Sequence, residues 1–193
     1  DTIDASDNAL ALTVAQLNAF GAVTLTAGDI VTLADAGANL AALDTTALAA
    51  LAGQNVDILD ASDDQITLSY AQFQALGTVD LTNGDTVTVA DSSAVIEALT
   101  PTEVGALIGV DILDASDDTL TFNLAQVLAL SGVVLAAGDS TTLADTSTAI
   151  EAMSIAQLAA LEGAGIDLID ASDDAISLTV AQATALGTVT IAA

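Results

Sequence analysis

Apolar and polar residues alternate in short segments along this chain, and each segment ends at a turn signal. Val79 and Leu81, and then Val87 and Val89, occupy every second position, which predicts short strands rich in β-branched residues. Glycine-aspartate steps between such segments, as in Asn83-Gly84-Asp85, are typical of tight turns. The pattern predicts a strand, an acidic turn, a second strand and then a helix.

Helix starts are marked by a hydroxyl or amide residue with glutamine or glutamate three positions later, the capping-box pattern. It occurs at Thr13–Gln16, Ser69–Gln72, Thr100–Glu103, Asn123–Gln126, Ser154–Gln157 and Thr179–Gln182. We further expect aspartates to cap the helices that end near Leu43, Leu99 and Met153, namely Asp35, Asp91 and Asp145. Helix ends are predicted at Gly21, Gly77, Gly109 and Gly187.

The order of these elements repeats along the chain. The tetrapeptide Asp-Ala-Ser-Asp occurs at Asp4–Asp7, Asp60–Asp63, Asp114–Asp117 and Asp170–Asp173. The interval is about 55 residues, or two half-units of about 27 residues, and a half-unit has the length typical of one coil in a repeat array. We therefore predict repeats at residues 3–55, 56–109 and 110–165 and a half repeat at 166–193.

Short helices that recur in this way indicate how the repeats are arranged. Helices of about two turns need neighbours to persist. The predicted fold is therefore an α/β solenoid of stacked short parallel strands with short helices. Separate small domains are the alternative, which the absence of linkers disfavours.

Composition excludes several kinds of partner. The 193 residues contain no lysine, arginine, histidine or cysteine, and 27 acidic residues give a formal charge of −27. With 53% apolar residues the chain can build a core, so an acidic disordered tail is not expected. Nucleic-acid binding needs Lys and Arg on phosphates, and no apolar run approaches the ~20 residues of a transmembrane helix. We expect neither nucleic-acid binding nor membrane insertion.

The aspartates are the candidate functional residues. Parallel strands lie about 4.8 Å apart, so stacking half-units would place Asp64 beside Asp85, and Asp118 beside Asp139. Like charges about 5 Å apart repel by roughly 3 kcal/mol at an effective dielectric of 20. Bound cations, high salt or raised carboxylate pKa values could offset this repulsion.

Calcium is the cation that such turns suit, because it takes six to eight oxygen ligands in flexible geometry. The candidate metal ligands are Asp60, Asp63, Asp64, Asp85, Asp114, Asp117, Asp118, Asp139, Asp170, Asp173 and Asp174. The alternative is that these aspartates are solvated turn and cap residues that keep an apolar protein soluble. The sequence leaves both interpretations open. Four helical glutamates are predicted to lie on an outer, solvated face: Glu97, Glu103, Glu151 and Glu162.

An enzyme is not expected. Without His, Cys, Lys or Arg, the common nucleophile–base pairs, Schiff bases and phosphate clamps are unavailable. Paired carboxylates can hydrolyse glycosides, but every Asp cluster here recurs in each repeat, whereas a catalytic pair would be unique.

The succession Asp-Ala-Ser-Asp-Asp, Leu-Thr-x-Ala-Gln and Gly-Asp-x-Val-Thr-x-Ala-Asp resembles repeat regions of large type I-secreted, RTX-associated bacterial surface proteins and adhesins. The glycine-rich calcium-binding nonapeptide of RTX arrays does not occur here, so calcium binding is not carried over from it. The resemblance implies a secreted, extracellular or cell-surface segment that acts as a stalk, filament or surface-layer element.

The alternative function is a calcium-dependent adhesive module that binds a glycan, ice or a host surface through threonine rows such as Thr86/Thr88 and Thr141/Thr142. Opening at Asp1-Thr2-Ile3-Asp4, in mid-pattern, predicts a piece of a longer protein. Because Ile3 and Val189-Thr190-Ile191 fall within predicted strands, we expect self-association end to end or with further repeats of the same chain.

Overall fold

The computed structural model describes residues 1–192 and contains short helices and short, parallel-paired strands. The chain divides into two compact units, Asp1–Val89 and Ala90–Ala193. Every strand pairing that the structure describes is parallel. The class is therefore α/β, as the sequence predicted. The repeat boundaries inferred from the sequence stay a prediction.

The first unit contains eight strands and four helices among its described residues. The strands are β1 (Thr2–Ile3), β2 (Ala9–Leu12), β3 (Thr24–Leu25), β4 (Ile30–Asp35), β5 (Ile58–Ala61), β6 (Gln65–Leu68), β7 (Asp80–Leu81) and β8 (Thr86–Asp91), of which β8 ends two residues past the division. The helices are α1 (Val14–Ala19), α2 (Gly37–Ala41), α3 (Thr45–Leu51) and α4 (Tyr70–Ala75), and a 3₁₀ turn follows α3 at Ala52–Gln54.

The second unit has the same kinds of element. Its strands are β9 (Ile112–Ala115), β10 (Thr119–Phe122), β11 (Val134–Leu135), β12 (Ser140–Asp145), β13 (Leu168–Ala171) and β14 (Thr190–Ile191). Its helices are α5 (Ser93–Glu97), α6 (Pro101–Val104), α7 (Leu124–Ala129), α8 (Ser147–Glu151), α9 (Ile155–Ala164) and α10 (Val180–Ala185).

A six-residue strand organises one sheet in each unit. The first four residues of β4 pair with β2, from Ala9 opposite Ile30, and its last four pair with β5, from Thr32 opposite Ile58. In the second unit the first four residues of β12 pair with β10 and its last four pair with β13. The long strand thus overlaps both neighbours, offset by two residues, and each sheet continues to one more short strand, β7 or β14.

The core follows from the alternation of residues along these strands. In β4 the side chains of Val31 and Leu33 are fully buried, whereas the intervening Thr32 is only partly covered. Helix residues such as Leu40 and Leu48 complete the core of the first unit, and Leu143 and Ile150 are equally buried in the second. Leu, Val and Ile therefore supply most of the interior, and Thr32 lies on the other face of its strand.

The predicted helix boundaries are largely confirmed. All six capping boxes form, each with the side-chain hydroxyl or amide oxygen accepting from the N3 backbone amide. Gly21, Gly77 and Gly187 directly follow the C-cap residues of their helices and have positive φ, the conformation that glycine adopts at helix ends without steric cost. The predicted helix end at Gly109 is wrong, because α6 ends at Val104.

The prediction that Asp35, Asp91 and Asp145 are N-cap residues is wrong by one position. The N-cap residues are Ala36, Ser92 and Thr146, and the aspartates are the last residues of the preceding strands. Among the described residues, no helix is long and apolar enough to cross a membrane.

Candidate functional site

In each unit an aspartate that follows glycine points into an acidic turn formed earlier in the chain. The acidic turns are residues 4–8, 60–64, 114–118 and 170–174, and the Gly-Asp carboxylates are those of Asp29, Asp85 and Asp139. Pairing of Gln65 with Thr86 in β6 and β8 places Asp64 beside Asp85, as the sequence predicted. The backbone amide of Ala61, inside the turn, donates to Asp85 Oδ2 at 2.7 Å.

The same arrangement occurs at the other two Gly-Asp carboxylates. Ala115 N donates to Asp139 Oδ2 at 2.9 Å, and Ala5 N donates to Asp29 Oδ2 at 2.8 Å. A backbone hydrogen bond closes each turn behind the side chain, for example Ser140 N to Asp118 O at 2.9 Å. The carboxylate is consequently held inside the acidic turn by backbone groups on both sides.

These three carboxylates are buried, and two of them are only partly satisfied. Asp29, Asp85 and Asp139 are 5%, 8% and 7% exposed. Among the described residues, Asp29 Oδ1 and Asp139 Oδ1 are buried oxygens without a hydrogen-bond partner. A buried polar atom left unpaired costs roughly 1–3 kcal/mol, and more when it is charged.

Burial, followed by repulsion from neighbouring carboxylates, raises the pKa of two of these groups. For Asp85 the neighbours are Asp60, Asp64 and Asp63. For Asp139 they are Asp114, Asp118 and Asp117, and in both cases the amide donor opposes the rise in pKa. Each of these two Gly-Asp carboxylates therefore lies within the field of the three aspartates of its turn.

A second set of aspartates caps helix N-termini, and we call them the helix-capping carboxylates: Asp35, Asp63, Asp117, Asp145 and Asp173. Asp117 accepts the backbone amide of Ser93 at 2.9 Å and its hydroxyl at 2.7 Å. Asp173 accepts the same two donors from Ser147. The serine hydroxyl first, and then the backbone amide, lower the pKa values of Asp117 and Asp173.

The remaining helix-capping carboxylates reach a different donor. Asp63 Oδ1 accepts Gly37 N at 2.7 Å, where glycine provides no hydroxyl. Asp35 Oδ2 accepts Val14 N and Asp145 Oδ2 accepts Leu124 N, both at 3.0 Å, so these two aspartates cap α1 and α7 from 21 residues away. The side-chain amide of Asn39, followed by Val14 N, lowers the pKa of Asp35.

Three capping-box glutamines, which we call the latching glutamines, tie neighbouring helices together. The Gln126 side-chain amide donates to the carbonyl oxygens of Glu97 and Leu99 at 2.9 and 2.8 Å, while its oxygen accepts Asn123 N. Gln72 and Gln182 make the equivalent pairs of bonds. Each amide therefore bonds to two carbonyls at the C-terminal end of the helix two before its own, namely α2, α5 and α8.

The four glutamates predicted to lie on a solvated face are exposed or partly exposed, and they also accept specific hydrogen bonds. Glu97 Oε1 accepts Thr121 N at 2.7 Å, and Glu151 Oε1 accepts Ser177 N at 2.6 Å. Glu162 accepts the Thr188 hydroxyl, and Glu103 closes its capping box, where the Thr100 amide first and its hydroxyl second lower the pKa of Glu103. These side chains bond to specific backbone and hydroxyl groups.

The structure brings together eight of the eleven predicted metal ligands in two clusters. Asp60, Asp63 and Asp64 surround Asp85, and Asp114, Asp117 and Asp118 surround Asp139. Asp64, Asp118 and Asp174 adopt left-handed backbone conformations, with φ of 58°, 58° and 52°, a region that Asp and Asn tolerate better than most residues. Asp170, Asp173 and Asp174 have no Gly-Asp carboxylate in their turn within residues 1–192.

Two further observations bear on the site. Sequence reasoning omitted Asp29 from the candidate ligands, although its Gly28-Asp29 step matches Gly84-Asp85 and Gly138-Asp139. Within residues 1–192, no three acidic side chains form a ready-made group that could hold a metal ion. As it stands, each cluster offers one buried carboxylate and several exposed carboxylates around it.

Comparison with known proteins found no matching family model, no matching curated protein and no matching solved structure.

Proposed function

We propose that this chain is a non-catalytic structural segment of an extracellular bacterial surface protein, in which each half-unit is one coil of an α/β solenoid. A stalk, a filament or a surface-layer element would use such a segment. The observation that carries the proposal is the recurrence of one set of polar contacts between successive coils.

That recurrence supports stacking because each contact joins groups from different half-units. Gly-Asp carboxylates accept amides 24 residues earlier, as in Asp85 with Ala61. Latching glutamines reach carbonyls 27 to 31 residues earlier. A repeat whose unit bonds mainly to the unit before it and the unit after it is the physical definition of a solenoid.

The acidic composition supports an extended role outside the cell. Many of the carboxylates serve as backbone hydrogen-bond acceptors, and a chain without Lys or Arg repels copies of itself side by side unless cations screen it. The resemblance to RTX-associated surface proteins also favours a structural role outside the cell. The partners that we propose are further repeats of the same kind, in the same chain or end to end.

The adhesive alternative gains little from the threonine rows. Thr141 is only 1% exposed, and its hydroxyl bonds to Gly165 O and Asp167 Oδ2, so it cannot face a ligand. Thr88 and Thr142 are partly covered, and they pair with Thr67 and Thr121 on the neighbouring strands. The predicted face therefore lacks one of its four named threonines.

The proposal is tested by lengthening the chain. Duplicating residues 60–169 inserts two full repeats, the interval after which the β2–β4 pairing recurs as β10–β12. A rod grows in proportion to its length, so we expect the radius of gyration from small-angle scattering to rise about 1.6-fold. A compact globule, whose radius of gyration scales with chain length to the power of about 0.38, would show a rise of only about 1.2-fold.

Electron microscopy of the same two proteins gives the second measurement. A rod of uniform width that lengthens without thickening supports the solenoid and the structural function that rests on it. The globular result for the radius of gyration, or separate beads on a thread, would overturn both. Monomer mass is checked first by light scattering, because end-to-end association would also lengthen the particle.

A further inference from the structure

Two of the three Gly-Asp carboxylates, Asp29 and Asp139, have a buried oxygen without a hydrogen-bond partner, and Asp85 accepts the equivalent backbone amide at Oδ2. Asp139 Oδ2 has the amide of Ala115, but Asp139 Oδ1 is buried without a partner, and the same is true of Asp29 Oδ1. Because the protein contains no lysine, arginine or histidine, no side-chain cation of the chain can bond to these oxygens.

Geometry fixes the direction in which the unpaired oxygen lies. Ala115 N belongs to the acidic turn at residues 114–118, and it holds Oδ2 inside that turn. Ser140 N bonds to Asp118 O at 2.9 Å, so the backbone on both sides of Asp139 follows the turn. The Oδ2 bond aims the Asp139 side chain into this turn, and Oδ1 of the same carboxylate is buried.

The carboxylates around this oxygen are not equally available. Asp117 is occupied at both oxygens by the amide and hydroxyl of Ser93. Asp118 is exposed and Asp114 is partly exposed, and both act on Asp139 as nearby negative charges. A buried, unpaired carboxylate oxygen with two further carboxylates beside it presents hard oxygen ligands and an uncompensated negative charge.

We propose that each Gly-Asp carboxylate and the acidic turn around it bind one hard divalent cation, with Ca²⁺ as the probe. In the second unit the ligands would be Asp139 Oδ1, the carboxylates of Asp114 and Asp118, and water. The carboxylates do not form a closed group of three, so the cation keeps several waters, and the affinity belongs with the weak extracellular calcium sites at about 10⁻⁴–10⁻³ M. The proposal does not depend on the structural function above.

The acidic turns around the three Gly-Asp carboxylates differ in charge, and this difference predicts their relative affinity for a cation. Around Asp85 the turn supplies Asp60 and Asp64, as Asp114 and Asp118 do around Asp139. Around Asp29 the last position of the turn is Asn8, which adopts the same left-handed conformation but is uncharged. Two stronger sites, at Asp85 and Asp139, and a weaker one at Asp29 are therefore expected.

The test is thermal unfolding of the full chain in metal-free buffer, titrated with CaCl₂ or MgCl₂ while NaCl holds the ionic strength constant. A ligand at ten times its Kd raises the melting temperature by roughly 3–6 °C per occupied site in a protein of this size. The double variant Asp85→Asn and Asp139→Asn removes one charge at each stronger site and keeps the side-chain shape. Asp80→Asn, which removes a charge at an exposed strand position, is the control.

We expect a saturable rise for the native chain and for Asp80→Asn, and loss of most of that rise in the double variant. Calorimetric titration should give two stronger binding events that disappear with the same pair of substitutions. The proposal is overturned if divalent ions do no more than NaCl of equal ionic strength, or if the double variant keeps the full rise.

Two further outcomes are also decisive. Equal loss in Asp80→Asn would overturn the proposal, because generic screening would then explain the effect. Should the double variant not fold, the calorimetric stoichiometry of the native chain decides: two or three sites support the proposal, and none refutes it.

Discussion

Asp117 and Asp139 are neighbours in the second unit, yet their environments shift their pKa values in opposite directions. Burial first, and then the charges of Asp114, Asp118 and Asp117, raise the pKa of Asp139. The hydroxyl and amide of Ser93 lower the pKa of Asp117. The two carboxylates belong to one acidic cluster, so local charge density alone cannot explain the difference.

The difference lies in the donors that each carboxylate receives. Asp117 has two donors at a helix N-terminus, where the backbone amides have no partner within the helix. Asp139 has one donor for two oxygens and is covered as well. In a protein without positive side chains, backbone amides take the place of Lys and Arg, and a carboxylate that does not receive enough of them is destabilising when it is ionised.

The largest expected effect comes from giving Asp63 the serine that Asp117 and Asp173 have. A Cβ added at Gly37 would collide with the backbone oxygen of Gln65, so Gly37→Ser should lower the free energy of unfolding by about 2–3 kcal/mol despite the extra donor. Urea unfolding measures this. The reverse change, Ser93→Gly, should cost less than half as much, because it removes a hydroxyl without creating a clash. If Gly37→Ser left the free energy of unfolding unchanged, the added hydroxyl donor would have offset the steric clash with the Gln65 oxygen.

A smaller loss of stability is expected when a latching glutamine is removed and the backbone groups that it bonds are left unpaired. Gln126 is 4% exposed, and its substitution by alanine leaves the Glu97 and Leu99 carbonyls and the Asn123 amide without their partner. Gln126→Ala should destabilise by about 1–2 kcal/mol in urea unfolding. Gln157 closes the same kind of capping box, but no bond from it to another helix is described, so Gln157→Ala should cost about 1 kcal/mol or less. Equal losses would mean that the bonds of Gln126 to the carbonyls at the end of α5 contribute nothing.

The smallest effect concerns pH and uses Asp35, whose pKa the Asn39 amide lowers most. A lowered pKa contributes stability above the ordinary value of 3.8, and that contribution is lost as pH falls through the folded-state pKa. The raised pKa of Asp139 works in the opposite sense, with a contribution that is present below 3.8 and lost as pH rises through the folded-state pKa. Asn39→Ala should bring the pKa of Asp35 back toward 3.8 in a carboxyl NMR titration in metal-free buffer. The pKa of Asp139, measured in parallel, should not move.

Local features could be predicted from the sequence because they depend on residues close together in the chain. A capping box needs two residues three positions apart, and a glycine that ends a helix needs only its own backbone freedom. The neighbouring positions of Asp64 and Asp85 were also predictable, because the repeat spacing fixes which residues meet when parallel strands stack.

The partner of each acidic side chain could not be predicted. Asp35 was expected to cap the helix that follows it but reaches Val14, and Glu97 is exposed as expected but also accepts Thr121 N. These bonds join groups 21 and 24 residues apart, and the side-chain rotamer, which the sequence pattern does not encode, selects the amide that is reached. Burial of Thr141 follows the two-residue periodicity of β12, because it lies on the same face as Leu143, but its hydroxyl contact with Gly165 O could not be predicted.

The overlapping pairing of β4 and β12 has a consequence for how a gene of this kind can change length. Each six-residue strand meets one four-residue strand with its first four residues and another with its last four, and the second of these pairs in turn with a two-residue strand. If the predicted repeats arose by unequal recombination, this order of strand lengths is preserved only when four consecutive strands, one long and three short as in β5 to β8, are inserted or deleted together. A shift by a single strand would put a short strand where a six-residue strand has to meet both of its neighbours.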